Sequence, residues 1–171
     1  MTPSDERDFT AFVKAHGDRL LRFARLLLPD DAEAEDALQT ALLRLTRHWS
    51  PRPTTPEAYV RTTLVNLARD RGRRRHLVPV PAETDQQQPC PAGDHADRIA
   101  ARAHLDELLA ALPPRQRITV VLRVLEGRSE AETADLLGCS VGTVKSNLAR
   151  GLDKIRTRMR SAPPSTQKAA Q

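Results

Sequence analysis

Aromatic residues are scarce in this chain: three Phe, one Tyr and one Trp among 171 residues. All five (Phe9, Phe12, Phe23, Trp49 and Tyr59) fall in the first 59 positions, so the two halves of the chain do not share one core design. Cysteine is scarcer still. Cys90 and Cys139 make no CxxC pair, which excludes a disulfide framework and a paired-thiol metal site. No run of 18 apolar residues exists, so no membrane-spanning helix is expected. The first residues, MTPSDERDF, have no apolar h-region, and a cytosolic location is expected. GxxxxGK[ST] and HExxH are both missing. The five His are scattered, and no catalytic residue, metal or cofactor is expected. Asp30, Asp31, Glu33, Glu35 and Asp36 crowd together, but neighbours on a helix diverge by about 100°, so these carboxylates would not converge on a cation.

Basic charge is in excess. Lys and Arg number 27 against 22 acids, for a net charge of +5. That balance favours an acidic partner such as nucleic acid. The excess is unevenly placed. Residues 1–77 carry a net +3 and residues 98–160 a net +5, while 78–97 hold four acids and no Lys or Arg. That middle stretch, VPVPAETDQQQPCPAGDHAD, has four of the 13 prolines and no apolar period, so it reads as a flexible linker. Residues 161–171, SAPPSTQKAAQ, read as a disordered tail. There is no internal repeat. The expected fold is all-α: two small helical domains, 1–77 and 98–160, each able to fold alone with modest stability.

Three helices are expected in the first domain. Phe9, Phe12, Val13, Leu20, Leu21, Ala24, Leu27 and Leu28 follow the helical period up to Pro29. A second helix follows, its first turn rich in acids, as the helix dipole favours. Leu38, Leu42, Leu45 and Trp49 cluster on one side of it, and Asp36, Gln39, Leu43 and Arg47 on the other. A third runs from about 57 to 75, with Val60, Leu64 and Leu67 inward and Thr62, Asn66, Arg69 and Arg73 outward. Four helices are expected in the second domain. The first covers about 98–111. The next, RQRITVVLRVLEG, is β-branched but keeps Ile118, Val121, Leu122 and Leu125 at helical spacing.

The end of the chain carries the most specific pattern. Ser129-Glu130-Ala131-Glu132 is a capping box, and Gly138-Cys139-Ser140 a tight turn. In the last helix Val141, Val144, Leu148, Leu152 and Ile155 share one face, and Thr143, Ser146, Asn147, Arg150 and Lys154 the other. Short helix, glycine turn and polar-basic helix make a helix-turn-helix, whose second helix enters a DNA major groove. An αα-hairpin with a solvated polar face is the alternative reading.

RSEAETADLLGCSVGTVKSNLARGLDKIR resembles both LuxR-type regulators and sigma factors of the extracytoplasmic-function (ECF) group. ALPPRQRITVVLRVLEG resembles sigma region 4.1, AEDALQTALLRL region 2.2 and EAYVRTTLVNLARDRGRRR regions 2.3–2.4. The match runs in order over about 9–158 and is most similar to actinobacterial SigE-family members. A LuxR regulator would need a βα-alternating domain before the motif, and none is visible.

The resemblance implies a sigma region 2 unit and a region 4 unit, with RNA polymerase core, through its β′ clamp helices and β flap, and promoter DNA as partners. It implies no membrane contact and leaves room for an anti-sigma factor. It puts core binding on the Asp36, Gln39, Leu43, Arg47 face, and above all on Asp36 and Gln39. It assigns the third helix and the loop SPRPTTP to the −10 element, with Thr62, Asn66, Arg69 and Arg73 on the strand. Trp49 and Tyr59 flank that loop, where each could stack on a base, although Trp49 reads equally well as core. The −35 element falls to Thr143, Lys145, Ser146, Asn147, Arg150 and Lys154. Many ECF members have Arg where this chain has Asn147, so the −35 sequence does not carry over. Two rival readings stand beside this one: a stand-alone helix-turn-helix regulator, and a helical interaction protein whose basic faces are merely solvated.

Overall fold

Thr2 starts the first helix. Its backbone N–H donates to Asp5 Oδ2 (2.7 Å), and the Asp5 N–H donates back to Thr2 Oγ1 (3.2 Å). This reciprocal box begins α1 (Pro3–Leu27), six residues before the first aromatic of the expected apolar stripe. The structure, a computed structural model, describes residues 2–49, 55–75 and 94–161. The expected linker, apart from its last four residues, the expected tail after Ser161 and most of the loop before the third helix lie outside the described residues. Six further helices follow: α2 (Asp31–Arg47), α3 (Pro56–Arg75), α4 (Asp94–Ala110), α5 (Pro114–Val120), α6 (Glu130–Leu137) and α7 (Val141–Ser161). Helix α4 begins four residues before the expected position. The β-branched stretch is helical, and α5 runs on into a π turn at Val121–Leu125. There the Glu126 N–H reaches back to the Val121 carbonyl (3.0 Å).

Helices α1, α2 and α3 pack together. The inner face of α2 is not the leucine stripe. Ala34, Ala37, Ala41 and Leu45 are buried, while Leu38 and Leu42 are half-buried. Small side chains let α2 lie close against its neighbours, which turns the leucines toward the margin. Trp49 is 1% exposed, with its ring edge-on to Phe9 (5.1 Å) and tilted against Phe12 (5.8 Å).

Helices α5, α6 and α7 form the second unit. Gly151 is buried in α7, and a Cβ there would lie 2.8 Å from Val120 Cγ2, so α7 crosses α5 at the distance only a glycine allows. Val144 is fully buried, Leu148 and Ile155 are partly so, and Val141 is 38% exposed. The two units share one core. A continuous cluster runs from Leu20, Val60 and Leu64 through Val65 and Ala68 to Leu109, Ile118 and Leu122. Helix α3 packs on α5 and α6 as well as on α1 and α2, so it is buried on two sides.

Arg117 ties this arrangement together from inside and is 6% exposed. Its Nε donates to the Leu109 carbonyl (2.7 Å), and Nη2 donates to those of Ala110 (2.9 Å) and Leu112 (2.8 Å). Nη1 reaches the Leu27 carbonyl at the end of α1 (3.4 Å). One guanidinium therefore satisfies the open carbonyls at two helix C-termini, where a cation also suits the dipole.

Candidate nucleic-acid interface

The helix-turn-helix forms as its sequence directs. The Glu132 N–H donates to Ser129 Oγ (3.1 Å) and the Ser129 N–H to Glu132 Oε2 (2.7 Å), which starts α6. Hydrogen bonding from the Ser129 hydroxyl, and then from its backbone N–H, holds the Glu132 carboxyl below its usual range. Gly138 ends the helix at φ +60°, a left-handed conformation that favours glycine. Ser140 then caps α7, its Oγ accepting from the Thr143 N–H (3.2 Å).

Ser129→Ala is expected to cost about 1 kcal/mol. The folded state depresses the Glu132 pKa, so its contribution is complete at neutral pH and down to the ordinary glutamate range. It is lost as pH falls through the depressed value. Carboxyl chemical shifts against pH check this: Glu132 should titrate low in the native chain and move part of the way back toward the ordinary range in Ser129→Ala, where the backbone N–H of residue 129 still donates to it.

On α7 the side chains of Lys145, Ser146, Arg150 and Lys154 are exposed, and Thr143 and Asn147 are half-buried. Thr143 shares its hydroxyl with Ser140 Oγ (3.0 Å), and Lys145 lies 3.5 Å from Glu130. The six expected −35 residues thus lie along one helix, with Arg150 and Lys154 free to reach phosphates. Arg158, one turn beyond Lys154, extends the basic stripe; the sequence pattern signalled it, but only at the i+4 spacing past the motif.

The expected −10 residues are arranged differently. Arg73 is open, while Thr62, Asn66 and Arg69 are half-buried. Arg69 Nη1 lies 3.7 Å from where a Cβ on Gly138 would sit. The Tyr59 hydroxyl is 3.3 Å from His48 Nδ1, at the edge of the undescribed loop. Trp49 is a correction. With its ring buried between Phe9 and Phe12, it packs the core, and stacking on a base would empty that core.

The third face is on α2. Asp36, Gln39, Leu43 and Arg47 all point outward, and Leu43 is 58% exposed. Beside it opens an apolar cavity of about 270 Å³, lined by Phe9, Leu21, Leu38, Leu42 and Leu43 with Glu35, Gln39 and Thr46. The sequence pattern marked the leucine but not the hollow, because Phe9 and Leu21 come from α1. Asp36 is engaged, in an ion pair with Arg71 of α3. The neighbouring acids are also occupied: Asp30 caps α2 through the Glu33 N–H (2.7 Å), and Arg25 holds Asp31 (3.0 Å) and Glu35 (3.5 Å). Among the described residues no helix is long and apolar enough to cross a membrane.

Comparison with known proteins agrees with this layout. The family model for sigma-70 region 2 matches residues 12–77, and that for sigma-70 region 4 matches 102–155. The RNA polymerase sigma-E factor of Streptomyces avermitilis is 39% identical over 163 residues, 94% of this chain and 90% of the relative. The sigma-E factor of Streptomyces coelicolor is 42% identical over 151 residues, 87% of this chain and 84% of the relative. Among solved structures, the sigma factor RpoE from Bartonella quintana, determined in complex with the anti-sigma factor NepR, shares the fold. It has a TM-score of 0.62 and 24% identity, over 92% of this chain and 99% of that one.

Proposed function

Because the chain belongs to the sigma-70 family, as an ECF-type sigma factor, we propose a division of labour among its three faces. Polymerase core docks on α2 at Asp36, Gln39, Leu43 and Arg47, beside the apolar cavity. The non-template −10 strand lies along α3 on Thr62, Asn66, Arg69 and Arg73, with Tyr59 at its edge. The −35 duplex receives α7. The protein acts in the cytoplasm by binding and positioning, with no bond chemistry of its own. An anti-sigma factor is the natural antagonist of these surfaces.

The observation that carries this reading is the segregation of the faces. Leu43 and the cavity are apolar, and α7 presents Lys145, Arg150 and Lys154 with Ser146 and Asn147. Base unpairing at −10 costs a few kcal/mol, and contacts along α3 would offset it. Titration of the full chain with polymerase core tests the reading against a stand-alone regulator, which would bind duplex DNA and ignore core.

Arg150→Ala is expected to lower the slope of log affinity against log salt by about one if Arg150 meets a phosphate. If it reads a base, one position should relax by about 1–3 kcal/mol. Fluorescence anisotropy on promoter duplex from 50 to 300 mM salt checks both. An unchanged slope with unchanged selectivity would misplace the reading face.

A further inference from the structure

Helix α7 is longer than the groove it is assigned to. It runs for 21 residues, Val141–Ser161, or about 31 Å at 1.5 Å per residue. The major groove is about 12 Å wide, and a recognition helix meets base edges with its N-terminal residues. The groove also winds around the duplex, and a helix cannot follow it for long. The last turns of α7 therefore leave the bases and pass over the phosphates that border the groove. What those turns carry decides whether they fit there.

The polar face continues past the end of the motif. At about 100° per residue, Ser146, Asn147, Arg150, Lys154, Thr157 and Arg158 all lie within about 60° of Thr143. From Thr143 to Arg158 this stripe is roughly 22 Å long, nearly twice the groove width. Thr157 and Arg158 are exposed. Like Arg150 and Lys154, Arg158 enters no ion pair among the described residues. Ser161 is next on the stripe, but its hydroxyl donates to the Thr157 carbonyl (2.9 Å). The helix holds six cations against one acid, Asp153, so a polyanion is the partner its charge selects. Cations in the last turn also suit the helix dipole. The dipole, however, is indifferent to the side of the helix on which they stand. It accounts for Arg160 as well as for Arg158, and gives no reason for Arg158 to line up with the reading face.

We propose that Arg158, with Thr157 beside it, is a phosphate clamp that binds the DNA backbone bordering the −35 element, where α7 leaves the groove. The site rests on the assignment of α7 to the −35 duplex. Its ligand is a backbone phosphate, held by charge-assisted hydrogen bonds from the guanidinium and by the Thr157 hydroxyl. Such a contact carries no base information. It fixes the angle at which Thr143, Ser146, Asn147 and Arg150 meet the base edges, and it adds affinity for any duplex.

Fluorescence anisotropy of the full chain, on a promoter duplex and on a scrambled duplex of equal length across a salt series, tests this. Arg158→Gln is expected to lower the slope of log affinity against log salt by about one. It should weaken both duplexes about five- to tenfold near ~100 mM salt and leave their ratio unchanged. Arg158→Lys should restore most of the slope, because the counterion term follows the charge. Arg156→Gln removes the same charge from the opposite side of the helix, about 160° away, and should leave the slope as it is. Thermal melts should be the same for all of these proteins, because both side chains are exposed. An unchanged slope in Arg158→Gln overturns the proposal. An equal fall in Arg156→Gln also overturns it, since the effect would then be one of net charge. So does a changed promoter-to-scrambled ratio, since Arg158 would then read a base. Weaker binding to polymerase core with duplex binding intact would give this end of α7 to core and overturn it too. Arg150→Ala separates the two ways of failing. If it still changes slope or selectivity, α7 reads the duplex and only the clamp is wrong. If neither Arg150→Ala nor Arg158→Gln changes anything, the assignment of α7 fails as well.

Discussion

Arg117→Met is expected to destabilise the protein by at least about 3 kcal/mol, although Met is apolar and close in length. Arg117 donates to four backbone carbonyls at the ends of α1 and α4. The Leu109 carbonyl keeps the Leu112 N–H (3.0 Å), but each buried carbonyl left without a donor costs about 1–3 kcal/mol, and Met donates nothing. For a chain of this size that is a fall in Tm of roughly 6–12 °C. Arg117→Lys keeps the charge but has three donors on one point, not a planar fork, so it should recover only part of the loss. Calorimetric melts of the three proteins check the order, with Lys between Arg and Met. Equal melting temperatures for Arg and Met would mean that the carbonyls find water and that Arg117 does not hold the two units together.

Leu43→Asp is expected to lower affinity for polymerase core by about 30-fold or more while leaving stability within about 0.5 kcal/mol. Leu43 is more than half exposed, so folding gains little from it. At a docking face it would be a central apolar anchor, worth about 2 kcal/mol or more when replaced by a charge. Asp36 gives a less direct test than its exposure suggests. It already holds Arg71, so Asp36→Arg would set two cations together on α2 and α3 and mix a fold effect with a binding effect. Asp36→Asn with Gln39→Ala avoids that repulsion and should weaken core binding in the same direction. A titration of labelled protein with core, beside thermal melts, separates binding from folding. Unchanged core affinity in Leu43→Asp would remove the docking assignment from this face.

Much of this layout is legible in the residues because the signals are local. The Ser129 capping box, the Gly138 turn and the alternation along α7 each lie within a few positions, and together they specify the helix-turn-helix before any packing is known. The outward face of α2 is legible for the same reason. What escapes is mostly what small or charged residues do at a distance. Ala34, Ala37 and Ala41 form the inner face of α2, yet alanines look neutral beside the leucine stripe. Gly72 reads as a helix weakness until Pro114 is found against it, 42 residues later. Arg117 sits among basic and β-branched neighbours with no sign that its guanidinium is buried, since buried arginines are rare. The second buried side of α3, at Val65 and Ala68, belongs to the seam between the units, and the periodicity of one unit cannot reveal it. Trp49 shows the limit from the other side: an aromatic beside a DNA-reading loop fits stacking and core equally well, and its packing on Phe9 and Phe12 decides for core.

The central claim is that this chain directs polymerase core to promoters through two separate DNA-reading surfaces. The most direct measurement is sequencing of transcript 5′ ends made in vitro on genomic DNA by purified core, with and without the intact protein. The account predicts new start sites that appear only with the protein, each preceded by two shared motifs at constant spacing near −10 and −35. The same start sites with and without the protein, or new ones sharing no upstream motif, would contradict it.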